Sequence, residues 1–396
     1  MKLDKKEILF IAIPCVFVIF LAVLFLMSLS PKLKRTTNVA FYGLSDVQVK
    51  SITTLLDESK DSKGRDIKFN YNILDTSLTL KEQITKKTDL VFTLYGVNAL
   101  DAASTVKDKK ASQTGFDPDL IRGCTLSVYQ KSHFNPYSRL LDVIPLLLDY
   151  DIIDSRRKGL WNNMTFAGGD DKVLLDTIGC FTESLGGKKL YDSLTQYIQD
   201  NYADLSSLSS PDCPAQDAIG LIGEYIKGGI MVKDVLAMKA DDVLIYMEAG
   251  LTDTVFTSLS SHRTIPYETI MKFTTEDHYP NLKDDVESKD LNSLEDRYFV
   301  APVICAVPLS AKESMRSSLE SLYTDNSQTR LSYSTGLAPI MATCDVPDIQ
   351  SDDARYWIAA SNTPLTPLSE YFYTDSQRKE AADALRSAIN VEIGRQ

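Results

Sequence analysis

Histidine is nearly missing from this chain: His133, His262 and His278 are the only three in 396 residues. Nothing in their spacing or neighbours suggests a shared metal ion or a Ser-His-Asp arrangement, so general-base chemistry by imidazole has no evident home. Tryptophan is scarcer still, with Trp161 and Trp357 alone. The six cysteines, at 15, 124, 180, 213, 305 and 344, form no Cys-x-x-Cys pair. That argues against a structural zinc site, a thioredoxin-type motif and a dense disulfide framework, and Cys305, inside an apolar run, reads as a small hydrophobe. Also absent are the Gly-x-Ser-x-Gly elbow, the phosphate loop Gly-x-x-x-x-Gly-Lys-Ser/Thr, His-Glu-x-x-His, Gly-x-Gly-x-x-Gly and the Asp/Asn pattern of a calcium loop. An excess of basic charge is missing as well: 42 Lys and Arg face 54 Asp and Glu, for a formal charge of −12. Such a body repels a phosphate backbone, which disfavours nucleic acid as a partner. Acidic pairs such as Asp170-Asp171, Asp241-Asp242 and Asp284-Asp285 read as solvated loop charge, because adjacent carboxylates cannot flank one glycosidic bond. From this inventory no catalytic residue, cofactor or metal is expected.

What is present begins with a nearly continuous apolar run of 22 residues at 8–29, ILFIAIPCVFVIFLAVLFLMSL. As a helix it is about 33 Å long, enough to span a bilayer. Ser28-Leu29-Ser30 resembles a cleavage site, but Pro31 would follow the cut directly and the run exceeds an ordinary signal core. Ala12-Ile13-Pro14 before Cys15 is a poor lipoprotein site. The segment therefore reads as an uncleaved, single-pass signal anchor, with 1–7 as flank and 30–36 as tether. Lys2, Lys5 and Lys6 balance Lys32, Lys34 and Arg35 across it, so the flanking charges leave orientation open.

The remaining chain is globular in composition, 44% apolar and 24% charged, and long enough for two bodies of ordinary domain size. Residues 38–42 form a strand, and Val49, Ile52, Leu55 and Leu56 share one helical face. Ile67, Phe69, Tyr71 and Ile73 alternate as in a half-buried strand, Leu78 to Ile84 suits a helix, and 89–95 is a further strand. Strands separated by helices imply βαβ units and a mainly parallel sheet, whose ligands collect outside the carboxyl ends of the strands. Those ends are Tyr42 to Asp46 and Tyr95 to Asn98.

Further on, an apolar stretch beginning at Arg297, RYFVAPVICAVPLS, reads as a long buried strand. Ser310 can cap a following helix carrying Met315, Leu319 and Leu322, which runs out at Tyr323, and a Thr-Gly-Leu-Ala-Pro at 335–339 returns to extended chain. This order of strand, helix and "TGLAP" resembles the late segment of extracellular solute-binding proteins of ABC transporters. The segment 137–161, with VIPLLLDY leading to Gly159-Leu160-Trp161, is similar to that family's first crossover between lobes. Residues 218–230 and 238–256 resemble its unit in the second lobe, with Tyr246, Met247, Glu248 and Gly250 at a strand end. Residues 351–393 resemble its close: two helices joined by a proline-bracketed turn that brings an aromatic towards the cleft. Two positions depart from the pattern, Asp151 for the expected Asn and Lys239-Ala240-Asp241-Asp242 for the usual glycine.

The resemblance implies a two-lobed α/β fold of the second structural type, over about 37–396, with its body outside the cytoplasm. Lobe one would comprise 37–143 plus 303–342, and lobe two 144–300 plus 345–396, with hinge strands near 142–150 and 298–308. It implies capture of a small solute, most readily a sugar, by closure of the lobes, and delivery to an ABC permease. A cleft of this kind needs aromatic faces and hydrogen-bonding tips. The candidates are Tyr42, Ser45 and Asp46 after the first strand, Tyr95 and Asn98 after the third, Asp149 near the crossover, Tyr246 and Glu248 in the second lobe, and Tyr371 near the end. Each has a plainer reading: Tyr42 and Tyr95 end strands where aromatics pack, Asp46 can cap the next helix, and Tyr246 and Tyr371 suit a core. A rival function is an anchored sensor or scaffold that keeps the fold and binds another envelope protein. An anchored hydrolase is a third, without a convergent catalytic set to support it.

Overall fold

Apolar residues on both sides of a short strand demand cover on both faces, and the runs at 39–42, 90–94 and 304–308 set the centre of one sheet. The structure, a computed structural model, describes residues 36–105, 130–131, 144–148, 164–252, 254–257, 265–270, 273–275, 302, 304–310, 312–322, 324–335, 338–339 and 365–394. Its elements begin with β1 (Thr36–Tyr42), α1 (Asp46–Asp57), β2 (Lys68–Ile73), α2 (Leu80–Gln83), β3 (Leu90–Leu94) and α3 (Val97–Ser104). There follow β4 (Gln130–Lys131), β5 (Ile144–Leu148), β6 (Met164–Thr165), α4 (Asp171–Asp200), α5 (Gln216–Lys227), α6 (Ala240–Glu248), β7 (Thr254–Thr257), α7 (Tyr267–Ile270) and β8 (Phe273–Thr275). The last are β9 (Ile304–Pro308), α8 (Glu313–Leu322), α9 (Asp325–Thr335), β10 (Ala338–Pro339) and α10 (Asp375–Glu392), with 3-10 turns at Leu205–Ser209 and Leu368–Tyr371.

The first sheet has the order β2-β1-β3-β9. β1 is parallel to both β2 and β3, and β9 runs antiparallel to β3 with Phe92 opposite Ala306. One face carries Val39, Phe41, Leu90, Phe92, Ile304 and Ala306 against Ile52, Leu55 and Leu56 of α1 and Met315, Leu319 and Leu322 of α8. The opposite face carries Ala40, Tyr42, Val91, Cys305 and Val307 against Leu80, Ala99 and Ala102. Phe41 and Phe92 stack across the strand pair with ring centroids 5.6 Å apart, a contact that contributes about 0.5–1.5 kcal/mol beyond its buried area. The second sheet has the order β6-β7-β5-β8, with β6 parallel to β7 and β5 antiparallel to β7 and β8. A largely helical core of α4, α5 and α10 includes Leu174, Ile178, Phe181, Ile222, Leu385 and Ile389. Helix α4 changes direction at Gly187, whose φ of 69° lies in the left-handed region that glycine enters without a Cβ penalty.

Several elements differ from the sequence expectation. β2 is an edge strand rather than half-buried: Tyr71 Oη donates to Asp57 Oδ1 of α1 at 2.7 Å, but Ile73 is 67% exposed, and no further strand pairs with β2 among the described residues. Helix α8 starts at Glu313, so Ser310 does not cap it, and the Ser310 hydroxyl is buried without a partner among the described residues. The polar run after Tyr323 forms helix α9, with Thr324 Oγ1 accepting from Ser327 N at 3.3 Å. Tyr246, Met247 and Glu248 lie on helix α6, not at a strand end, since Lys239 N donates to Asp242 Oδ2 at 2.8 Å and opens a helix there. The sheets are mixed rather than mainly parallel in the second case. The expected anchor at 8–29, the helix at 351–362, Asp149 and all three histidines lie outside the described residues, and among these no helix is long and apolar enough to cross a membrane.

Candidate functional site

The carboxyl ends of β1 and β3 face the N-termini of α4 and α10, and a cavity of about 410 Å3 lies between them. From the side of the first sheet it is lined by Tyr42 and Gly43, by Thr93, and by Thr76 in the turn before α2. The opposite wall is Asp170, Asp171 and Lys172 at the start of α4, Lys239 before α6, and Glu370, Asp375 and Arg378 around the start of α10.

Local rules put these groups there. Asp170 caps α4, its Oδ1 accepting from Lys172 N at 3.0 Å and Val173 N at 3.2 Å. Thr374 caps α10 by accepting from Gln377 N at 3.3 Å, which leaves Asp375 in the first turn and Arg378 one turn on. Arg378 is 8% exposed and spans the 3-10 turn: Nε donates to Ser369 O at 3.0 Å, Nη2 to Phe372 O at 3.2 Å and Nη1 to Asp375 Oδ1 at 2.7 Å. Lys172 Nζ donates to Glu370 Oε1 at 2.7 Å across 198 residues of sequence. Burial disfavours charge on the Glu370 carboxyl, but Lys172 and Arg378 outweigh it and hold its pKa below the usual carboxylate range. Behind this pair Asp176 accepts from Ser369 N at 2.9 Å; its burial dominates over Lys172 and pushes its pKa up to about 6.

The two walls are also bonded to each other. Tyr42 Oη lies 2.7 Å from Tyr373 O and 2.9 Å from Leu78 O, donating its one proton towards these carbonyls, and burial raises its pKa to about 12. Asn98, 4% exposed, donates to Tyr373 O at 3.0 Å and to Phe372 O at 3.4 Å and accepts from Leu80 N at 3.4 Å. Asp375 N donates to Thr76 O at 3.0 Å, and Thr76 Oγ1 donates to Asp375 Oδ2. Gly96 completes the seam: a Cβ there would lie 2.7 Å from Glu370 Cβ, so only glycine permits this approach.

Of the residues anticipated from sequence, Tyr42 lines the cavity and Asn98 sits in the seam beside it. Ser45 is the exposed cap of α1, accepting from Gln48 N at 3.3 Å, and Asp46 is exposed in the first turn that Ser45 caps. Tyr95 is half-buried against the Ala40 and Val91 face. Tyr246 packs on the small cluster of Met238, Met247 and Val255, and Glu248 is exposed at the end of α6. Tyr371 is half-buried in the 3-10 turn, where its carbonyl accepts from Tyr202 Oη and burial raises the pKa of its own hydroxyl. Sequence reasoning missed Thr93, Lys172, Lys239, Glu370, Asp375 and Arg378, and it took Asp170-Asp171 for loop charge where they open a helix at the cavity wall. Gly168-Gly169-Asp170 ahead of an apolar helical pattern was the available signal. No group of three or more His, Cys, Asp or Glu suited to a metal ion occurs among the described residues.

No protein-family model matches the sequence, and no curated protein matches it. Solved structures do match in fold. The bacterial solute receptor AcbH, described with an exclusive preference for β-D-galactopyranose, superposes with a TM-score of 0.59 at 10% identity, over 90% of this chain and 96% of its own. A probable secreted solute-binding lipoprotein from Streptomyces coelicolor gives 0.55 at 12% identity, over 90% and 98%. A chitin oligosaccharide binding protein gives 0.52 at 9% identity, again over 90% and 98%. This chain has the two-lobed α/β fold of bacterial solute-binding proteins. The cavity lies at the carboxyl ends of β1 and β3, where the first sheet faces the starts of α4 and α10.

Proposed function

We propose that this chain is a membrane-anchored, extracytoplasmic solute-binding protein that captures a small, sugar-like solute between its lobes and presents it to an ABC importer. The observation that carries this reading is the cavity of about 410 Å3 walled by β1 and β3 on one side and by the starts of α4 and α10 on the other. Its volume suits a compact solute, and its lining of hydroxyls, carboxylates and ammonium groups suits hydroxyl recognition. In this reading lobe one is 37–143 plus 303–342 and lobe two is 144–300 plus 345–396. A solute touching both walls binds the closed arrangement better and shifts the population towards it. The run at 8–29 would hold the receptor beside its permease, and the fold relatives that bind galactopyranose and chitin oligosaccharide support the sugar class.

A second reading has an observation of its own. Tyr42 at the end of β1, Thr76 in the turn before α2 and Asn98 in the first turn of α3, polar residues where a solute would bond, are engaged by Tyr373 and Asp375 of the same chain. A protein whose cleft is closed on itself in this way could serve as an anchored sensor or scaffold for another envelope protein. The full chain in detergent, screened by thermal shift against sugars, polyols, amino acids and peptides, separates the two. A binder at a hundredfold excess over Kd stabilises the fold by about 2.7 kcal/mol. A shift confined to one chemical class supports capture, and a flat panel from folded protein supports the scaffold.

A further inference from the structure

Resting on the reading of residues 8–29 as a membrane anchor, we infer that the amino edge of the first sheet is a basic face that docks on anionic lipid headgroups. Two observations meet there. Six residues, 30–35, separate Leu29, where the apolar run ends, from Thr36, where β1 begins, and even fully extended they reach only about 25 Å. The edge that carries Thr36 therefore stays close to the bilayer. Four strand ends define this edge: Thr36 lies opposite Lys68, the first residue of β2, and Leu90, the first of β3, lies opposite Pro308, the last of β9. Lys312, just ahead of α8, closes it, its Nζ donating to Thr36 O at 3.3 Å and to Asp89 Oδ2 at 2.7 Å.

The charge on the first sheet is sorted by edge. At the amino edge the connections 58–68, 84–89 and 309–312 carry seven Lys or Arg against four Asp or Glu, in a chain whose formal charge is −12. Three of those acids are already matched: Asp61 with Arg65, Asp89 with Lys312 and Glu58 with Arg330 of α9. Lys60, Lys63, Lys68, Lys86 and Lys87 are exposed and form no ion pair among the described residues, with Asp66 the one acid of these connections left unpaired there. At the carboxyl edge the connections 43–46, 74–79 and 95–96 carry Asp46 and Asp75 and no basic residue. A surface of one sign held this close to a bilayer selects headgroups of the other sign, each lysine near an anionic surface strengthening the contact about fivefold. Their long stems let the five ammonium groups reach one plane of phosphates. Lys32, Lys34 and Arg35, immediately ahead of Thr36 in the sequence, extend the basic run towards the anchor. Docked in this way, the body turns the cavity at the carboxyl ends of β1 and β3 away from the membrane.

The test is acetylation footprinting of the full chain in lipid nanodiscs, one set of phosphatidylcholine and one with about half of it replaced by phosphatidylglycerol, read lysine by lysine by mass spectrometry. Lys60, Lys63, Lys68, Lys86 and Lys87 are expected to react at least about fivefold more slowly in the anionic discs, while Lys50, exposed on α1 towards the opposite edge, keeps one rate in both. At about 0.5 M salt, where screening shortens the reach of each charge, the difference should vanish. The combined variant Lys68→Glu, Lys86→Glu and Lys87→Glu is expected to restore rapid acetylation of Lys60 and Lys63 in the anionic discs with little change in melting temperature. Equal rates in the two lipids, or slowing at Lys50 instead, overturn the inference and leave the anchor standing. Folded protein that separates from the discs overturns the anchor and the inference with it. Should the combined variant fold poorly, the wild-type comparison between the two lipids decides.

Discussion

Replacing Asp176 by Asn tests the electrostatic account of the cleft wall. Asp176 is 9% exposed on α4 and accepts the Ser369 amide at 2.9 Å, and burial raises its pKa from the ordinary 3.8 to about 6. Because the native state holds this proton more tightly than the unfolded chain, stability is highest below the unfolded value and falls as pH rises towards 6. A shift of about two units corresponds to roughly 3 kcal/mol, so wild type should lose up to that amount between pH 4 and 7 from this group alone. Glu370 acts in the opposite sense, since its pKa is depressed, but its contribution is lost only in stronger acid. Asn keeps the acceptor for Ser369 and removes the charge. Urea unfolding followed by circular dichroism at pH 5, 6, 7 and 8 gives the stability of both proteins, and their difference cancels every group they share. That difference should favour the variant by about 1.4 kcal/mol more at pH 8 than at pH 5, whatever constant cost the amide NH2 adds by lacking an acceptor. A difference that stays level with pH would refute the argument, and one that turns against the variant at pH 8 would show that Lys172 outweighs the burial of Asp176.

Lys172→Met leaves Glu370 facing Asp176 with Arg378 as its remaining cation, and because Lys172 is 41% exposed in the pair, the expected loss is discounted to roughly 2–3 kcal/mol at pH 7.5 by urea unfolding. Gly96→Ala pushes a methyl against Glu370 and should cost ~1–3 kcal/mol with a lower melting temperature, whereas Gly220→Ala, with nothing within 4 Å of the new carbon on α5, should hold or gain about 0.5 kcal/mol. Burial pushes the Cys213 thiol up to about 11 and raises that of Cys305 as well. In variants keeping one of these two cysteines alone, a thiol reagent at pH 8 should label only as fast as the protein unfolds in graded urea, and rapid labelling of folded protein would contradict their burial.

The parts of this fold that are legible in the sequence are those written locally. Val39, Phe41, Leu90 and Phe92 reach the core through the two-residue period of a strand, and Ala381, Leu385 and Ile389 through the period of a helix, so β1, β3 and α10 follow from apolar spacing alone. β2 carries the same alternation at Phe69, Tyr71 and Ile73 and yet lies at an edge, because pattern reports which residues could be covered and topology decides whether anything covers them. The site is less legible for a related reason. Strand ends point correctly to Tyr42, but its partner Tyr373 lies 331 residues away, and Lys172 meets Glu370 across 198. Neither separation leaves a local trace. A charged residue beside others in sequence looks solvated when the element it opens is unknown: Asp170-Asp171 reads as loop charge until α4 is seen to begin there and to point its first turn at the cavity. Charges gathered at helix N-termini can cap the backbone and wall a cavity at once, and only the packing of the first sheet against them shows the second role.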